Sequence, residues 1–232
     1  MEKRVTVIGT VFVDCKGFAR EAYNPEGRNL GQIAFFHGGV GRNVAENLAK
    51  LKIPTSFVST VDFSALGEEV KERLQTLGVR TDFLQKRENG MGMWLAILNE
   101  KGDLAGSISQ MPEMAHLQDI IEKNGETILE QSSHVALEVD LNDQIAQNVI
   151  ALAEKHGVPV FGIPGNLDVI LRHPEFLPKL ACFICNHIEY ARISGKELEG
   201  LEIEDMVREV ERFGRESGIR SLVVTLGPRG AV

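Results

Sequence analysis

An α/β fold, a doubly wound and mostly parallel sheet with a small β appendage, is what the 232-residue sequence predicts. The second half alternates strand with helix, and its strands are near-continuous apolar runs, as in a parallel sheet covered on both faces. Residues 11–36 and 90–110 break that rhythm and read as antiparallel strands. At ~150 residues per domain, the length favours one core spanning 1–232, with the appendage built from those two stretches. No internal repeat or low-complexity tract interrupts it.

Val5 to Ile8 is a short β-branched run ending at Gly9, the pattern of a buried strand, and Val11-Phe12-Val13 extends it to Asp14. Asn24-Pro25-Glu26-Gly27 marks a turn between two strands of the 11–36 stretch. Past Gly38-Gly39, Val44, Leu48 and Leu51 recur at i, i+4 and i+7, with Ala45 and Ala49 beside them. That is an amphipathic helix packed closely on something flat. Phe57 to Val61 is the next strand, and residues 67–77 form a helix stopped by Gly78. Met93 to Leu98 followed by Asn99-Glu100-Lys101-Gly102 is a strand entering a hairpin. Val135 to Val139 is a strand, 143–155 a helix ending near Gly157, and Val158 to Phe161 and Ala181 to Cys185 are two further strands. A helix around Met206, Val210 and Phe213 precedes the last strand, Ser221 to Thr225.

Composition excludes several classes of function. With 25 Lys and Arg against 33 Asp and Glu, the net charge of −8 argues against a general nucleic-acid binder. No apolar run approaches the ~18 residues of a membrane span, and the N-terminus does not have the pattern of a signal peptide. The cysteines, Cys15, Cys182 and Cys185, are odd in number and read as reduced thiols of a cytoplasmic protein. Cys182 and Cys185 have redox or zinc spacing, but no second Cys/His pair lies nearby to complete a four-ligand site. They read as buried thiols.

Ligands of open parallel sheets bind beyond the carboxyl ends of the strands. The polar residues there are Asp14 after the first strand, Glu138 with Asp140 and Asn142, then Asn186 and Glu189, and finally Gly227 to Gly230. Carboxylates and amides converging on one edge would suit a polyhydroxylated ligand. The plainer reading makes them helix caps and turn residues, which Asp and Asn favour. Glu138 stands apart, because a carboxylate inside an apolar strand is costly to bury unpaired. His37-Gly38-Gly39-Val40-Gly41-Arg42-Asn43 leads straight into a helix, where paired glycines allow close backbone approach and the following amides can face a ligand. With Val at position 44 and no Gly-Lys-Ser/Thr, it is neither a dinucleotide fingerprint nor a P-loop.

Gly38 to Leu51 resembles the first motif, G-G-x-x-x-N-x-A-x-x-L-A-x-L, of the ribokinase-like (PfkB) sugar and nucleoside kinases. Further matches follow in order: Val7-Ile8-Gly9 through Asp14, Leu77-Gly78-Val79-Arg80-Thr81-Asp82, Asn186-His187-Ile188-Glu189 as N-x-x-E, and Thr225-Leu226-Gly227-Pro228-Arg229-Gly230 as T-L-G-x-x-G. Within the family, Asn24-Pro25 and the Gly38–Asn43 segment look most like pseudouridine kinases. The resemblance implies a β lid over the core and ATP-dependent phosphoryl transfer to a hydroxyl of a sugar or nucleoside, such as pseudouridine, ribose or a fructose-like sugar. It places Asp14, Gly38, Gly39 and Asn43 at the substrate hydroxyls with Glu138 nearby. It gives Asn186 and Glu189 to Mg²⁺ and the nucleotide phosphates, through water, and Thr225, Gly227 and Gly230 to the nucleotide. Positioning and charge neutralisation dominate such chemistry.

A homodimer through the lid is also expected, because an apolar strand such as Met93–Leu98 would be partly uncovered and prone to edge pairing. Two departures accompany the resemblance. Where the family often has D-x-N-x-R, this chain reads Gly162-Ile163-Pro164-Gly165-Asn166. The G-A-G-D motif bearing the family's catalytic base does not occur in the 232 residues, so no catalytic residue is assigned and the chain alone is expected to be a negligible kinase. The alternative reading is a non-catalytic sugar- or nucleoside-binding or sensing module derived from such a kinase.

Overall fold

Runs of β-branched and apolar residues, each closed by a turn or a capped helix, set the order of elements in the computed structural model, which describes residues 3–232. The chain opens with β1 (Arg4–Ile8), β2 (Phe12–Ala19), β3 (Gly31–Gly38), α1 (Val40–Lys50), β4 (Thr55–Val61) and α2 (Ala65–Thr76). There follow β5 (Leu84–Lys86), β6 (Gly92–Leu98), β7 (Leu104–Gln110), α3 (Met114–Glu130), β8 (Ser132–Glu138) and α4 (Asp143–His156). The rest comprises β9 (Val160–Ile163), α5 (Asp168–Arg172), β10 (Cys182–Asn186), α6 (His187–Ser194), α7 (Ile203–Glu216) and β11 (Leu222–Thr225).

Seven strands form one sheet in the order β11-β10-β9-β8-β1-β4-β5. Every pairing in it is parallel, so the carboxyl ends share one edge. Successive side chains alternate between faces, and the two faces carry separate cores. Ile8, Val58 and Leu137 pack with Leu117 and Ile121 of α3 and Ile145 and Val149 of α4. Their sequence neighbours Val7, Phe57 and Ala136 pack with Ala45 of α1 and Val70 and Leu74 of α2. The doubly wound parallel sheet expected from the sequence is therefore present.

The remaining strands make a second sheet in the order β3-β2-β6-β7. Its outer pairs are antiparallel hairpins, but β2 and β6 pair in parallel, with Asp14 opposite Trp94 and Cys15 opposite Leu95. Here the expectation of antiparallel strands throughout needs correcting: residues 12–18 and 92–98 enter the sheet from the same end. Two more corrections follow. Val11-Phe12-Val13 does not extend β1, since the backbone leaves the larger sheet at Gly9 and Asp14 lies inside β2 rather than after a strand. Met93–Leu98 is an interior strand, with β3 and β7 at the edges.

Candidate functional site

Four segments meet where β1 and β8 end. An added Cβ on Gly41 would lie 2.6 Å from the Gly9 Cα, and one on Gly9 would lie 2.7 Å from both the Gly41 Cα and Glu138 Oε2. Helix α1 thus starts in direct backbone contact with the end of β1, as only glycine permits. Gly39, its N-cap, has φ of 97°, and a Cβ there would run into the Thr10 carbonyl oxygen. The buried Glu138 carboxylate binds this junction together. It accepts hydrogen bonds from the Thr10 N–H at 2.8 Å, the Thr10 hydroxyl at 3.0 Å and the Gly41 N–H at 3.3 Å. Burial pushes its pKa up, and those donors partly offset the rise.

The amides after the paired glycines were expected to face a ligand. Two of them face protein instead: Gly41 N–H donates to Glu138, and Arg42 N–H to the Thr10 carbonyl at 3.2 Å. Arg42 is 5% exposed and ties β3 to α1. Its guanidinium donates to the carbonyl oxygens of His37 at 2.6 Å and Gly38 at 3.1 Å, and also to Glu46 and to Asn43 Oδ1. Desolvation lowers its pKa, and both Glu46 and Asp14 lie near enough to counter that.

Asp14 sits opposite Phe36 on β3 and Trp94 on β6. Residues directly opposite share a face, so the carboxylate stands between two aromatic side chains. Lys16, two residues along, confirms the common face: its Nζ is 5.1 Å from the Phe36 ring centre, 5.5 Å from that of Trp94 and 3.7 Å from Asp14. The structure thus gathers Asp14, Gly38, Gly39, Asn43 and Glu138 around one turn. Thr10, Arg42 and the aromatic pair join them unannounced. Thr10 and Arg42 carry no sequence signal beyond adjacency to glycines, whereas Phe36 and Trp94 become visible once strand register is known.

Farther along the same edge, the polar residues act as caps. Asp140 accepts from Gly165 N–H at 3.1 Å and Val169 N–H at 3.0 Å, and Asn142 caps α4 through Ile145 N–H at 2.7 Å. Asn186 and Glu189 form a capping box at the start of α6: Glu189 N–H donates to Asn186 Oδ1 at 2.9 Å, and Asn186 N–H to Glu189 Oε2 at 2.7 Å. Burial, with Asp140 nearby, raises the Glu189 pKa. Each side chain keeps polar capacity for a ligand, Nδ2 of Asn186 and Oε1 of Glu189. Thr225 ends β11, and Gly227 and Gly230 turn the chain back at φ of 60° and 89°, so that Val232 pairs with Val224. Gly162 is a core position, where an added Cβ would lie 2.6 Å from Leu180 and 3.1 Å from Val139.

Among the described residues, no three His, Cys, Asp or Glu side chains are grouped to hold a metal ion directly, and no helix is long and apolar enough to cross a membrane. All three cysteines are free thiols; Cys182 and Cys185 are buried, and burial pushes the Cys185 pKa up to about 12.

Comparison with known proteins follows the same lines. The family model described as pfkB family carbohydrate kinase matches residues 2–232. The chain is 36% identical over 230 residues to a guanosine-inosine kinase of Exiguobacterium acetylicum, covering 99% of this chain and 75% of that protein. It is 29% identical over 231 residues to a pseudouridine kinase of Escherichia coli strain K12, covering 97% and 71%. The solved structure of Arabidopsis thaliana ribokinase complexed with ribose and ATP superposes with a TM-score of 0.81 at 23% identity, covering all of this chain and 74% of that one.

Proposed function

The chain belongs to the pfkB family of carbohydrate kinases, and from that premise we propose that it serves the transfer of a phosphoryl group from ATP to a hydroxyl of a nucleoside. One observation carries the choice of a nucleoside over a free sugar: the row Phe36–Asp14–Trp94 on one face of the four-stranded sheet. A carboxylate accepts hydrogen bonds from sugar hydroxyls, and an aromatic ring on either side offers a base a stacking surface. Similarity to a guanosine-inosine kinase and a pseudouridine kinase supports the same reading.

In this reading Asp14 and Asn43 take the sugar, with Gly38 and Gly39 giving it room. Glu138 serves by holding the glycine turn rigid. Asn186 and Glu189, with Thr225, Gly227 and Gly230, face the nucleotide from the other end of the edge. The chain would hold Mg²⁺ on the nucleotide phosphates, with Glu189 reaching it through water. The bound ion would neutralise phosphate charge. The four-stranded sheet acts as a lid, and its outer face pairs with a second copy. Three free thiols suit the reducing cytoplasm.

Calorimetry with inosine, guanosine, pseudouridine, ribose and fructose, alongside an ADP-release assay, tests the proposal. Stacking of a base is worth ~1–3 kcal/mol, so nucleosides should bind at least several-fold more tightly than ribose, and Trp94→Ala should erase that margin. Equal affinity for inosine and ribose, or an unchanged margin in Trp94→Ala, would overturn the choice of substrate.

A further inference from the structure

We infer that Lys16 selects the base: its ammonium donates to a purine edge that carries two neighbouring acceptors, the 6-oxo oxygen and N7, and so favours 6-oxopurine nucleosides over 6-aminopurine ones. This rests on the nucleoside reading above and adds to it a residue and the kind of base.

Every second residue of a strand shares a face, and from the glycine turn outward one face of β2 carries Phe12, Asp14, Lys16 and Phe18. Lys16 stands one step, ~6.6 Å of strand, farther from the turn than Asp14. With the sugar at Asp14, a base directed outward along the strand passes the Phe36 and Trp94 rings and meets Lys16. Opposite Lys16 are Ala34 on β3 and Ala96 on β6, too small to confine its stem. The stem leans over the aromatic row, with Nζ 5.1 Å from the centre of the Phe36 ring and 5.5 Å from that of Trp94. Both distances are within cation–π range, so one ammonium marks the slot between the two rings.

That ammonium has three N–H donors and no acceptor. Its partner Asp14 is 3.7 Å away, beyond hydrogen-bond length, and the side chain is 29% exposed. Its donors are therefore open to a ligand. Bases differ at the edge such a donor would read. Hypoxanthine and guanine carry O6 and N7 side by side, both acceptors, whereas adenine sets an amino donor beside N7. Lys16 can pair with the first edge twice. At the second it pairs once, and its charge faces an N–H. Aromatic rings stack on every base, so Phe36 and Trp94 do not make this distinction.

Calorimetry with inosine, adenosine and ribose on the wild type, Lys16→Met and Lys16→Arg tests the inference, with thermal denaturation confirming that each variant is folded. The wild type should bind inosine about tenfold more tightly than adenosine. Lys16→Met keeps the length of the stem but removes the donors, and should bring that ratio close to one. Lys16→Arg supplies a forked donor for the same edge and should keep most of it. Because Lys16 neighbours Asp14, Lys16→Met can also alter the hold on the sugar; ribose reports that effect, and the inosine-to-adenosine ratio is free of it. A wild-type ratio near one, a ratio that survives Lys16→Met, or a ratio lost equally in Lys16→Met and Lys16→Arg overturns the inference. The two readings fail separately. Equal affinity for inosine and ribose removes the nucleoside reading and the role of Lys16 with it. Nucleosides that outbind ribose, with a ratio indifferent to Lys16→Met, remove the role of Lys16 alone.

Discussion

Glu46 shows how a charge can sit on the inner face of a helix. Its side chain is 6% exposed, yet Arg73 grips both carboxylate oxygens, at 3.0 and 2.6 Å, while Lys50 and Arg42 close the rest of its shell. Hydrogen bonding from Arg73 is the largest cause that pulls its pKa from 4.5 to about 2, against the opposing effect of burial. A carboxylate depressed in the folded state contributes stability above its unfolded value and loses it as pH falls toward the folded one. Allowing for solvent around the half-exposed Arg73, the contribution is on the order of 2 kcal/mol. Glu138 runs the other way: its raised pKa means that its contribution is largest below the ordinary glutamate range and shrinks as pH rises. Urea denaturation across a pH series should find Glu46→Gln less stable than the wild type near neutrality and nearly equal to it near pH 2. Parallel stability curves for the two proteins would show that the ion pairs around Glu46 contribute nothing.

Among the elements, α1 has Gly39 as its N-cap, so its first turn is held by close approach to β1 and by Glu138, which accepts from the Gly41 N–H, rather than by a side chain at the N-cap position. Gly9→Ala and Gly41→Ala each push a methyl into the same backbone contact. Overpacking of this kind costs ~1–3 kcal/mol. The double variant should cost less than the sum, because the first methyl already separates the helix from β1; thermal melts of the three proteins check this, and strict additivity would show that the contact is not shared. Most elements could be read from periodicity, and α4, expected over 143–155, almost to the residue. Helix α3 could not. Its apolar positions Leu117, Ile120 and Ile121 resume only at Ile128, because Gly125 stands where a larger residue would strike Leu152 of α4 at 2.5 Å. Helix α6 was hidden for another reason: its N-x-x-E start is a capping box, which reads equally as a ligand motif. Asn43 could be picked out beside the paired glycines, whereas Asp14, expected to follow the first strand, in fact lies inside β2. Arg42, whose partners come from β3 and from its own helix, needed the fold.

Across the molecule, the second sheet presents two neighbouring rows on opposite faces. Phe36, Asp14, Trp94 and Ser109 form one; Phe35, Cys15, Leu95 and Ile108 form the next. A slip of one residue in a strand would send its side chains to the opposite face, so register alone separates the face carrying Asp14 from the one carrying Ile33 and Ile108. On the latter, Ile33 is 73% and Ile108 70% exposed, a surface suited to burial between copies. Light scattering should find the wild type dimeric at micromolar concentration and Ile108→Glu monomeric; an Ile108→Glu dimer would move the interface elsewhere. The clamp at the glycine turn also has a history in time. Thr10 and Glu138 are 128 residues apart. A ribosome adding ~5–20 residues per second therefore leaves the turn without its carboxylate for roughly ten seconds after Thr10 is made. Until then β1 lacks its β8 neighbour, and nothing at position 138 yet holds Thr10 to Gly41. The glycine turn is thus finished late, by a residue made 128 positions after Thr10, and an emerging chain cannot lock that end of the edge before β8 exists.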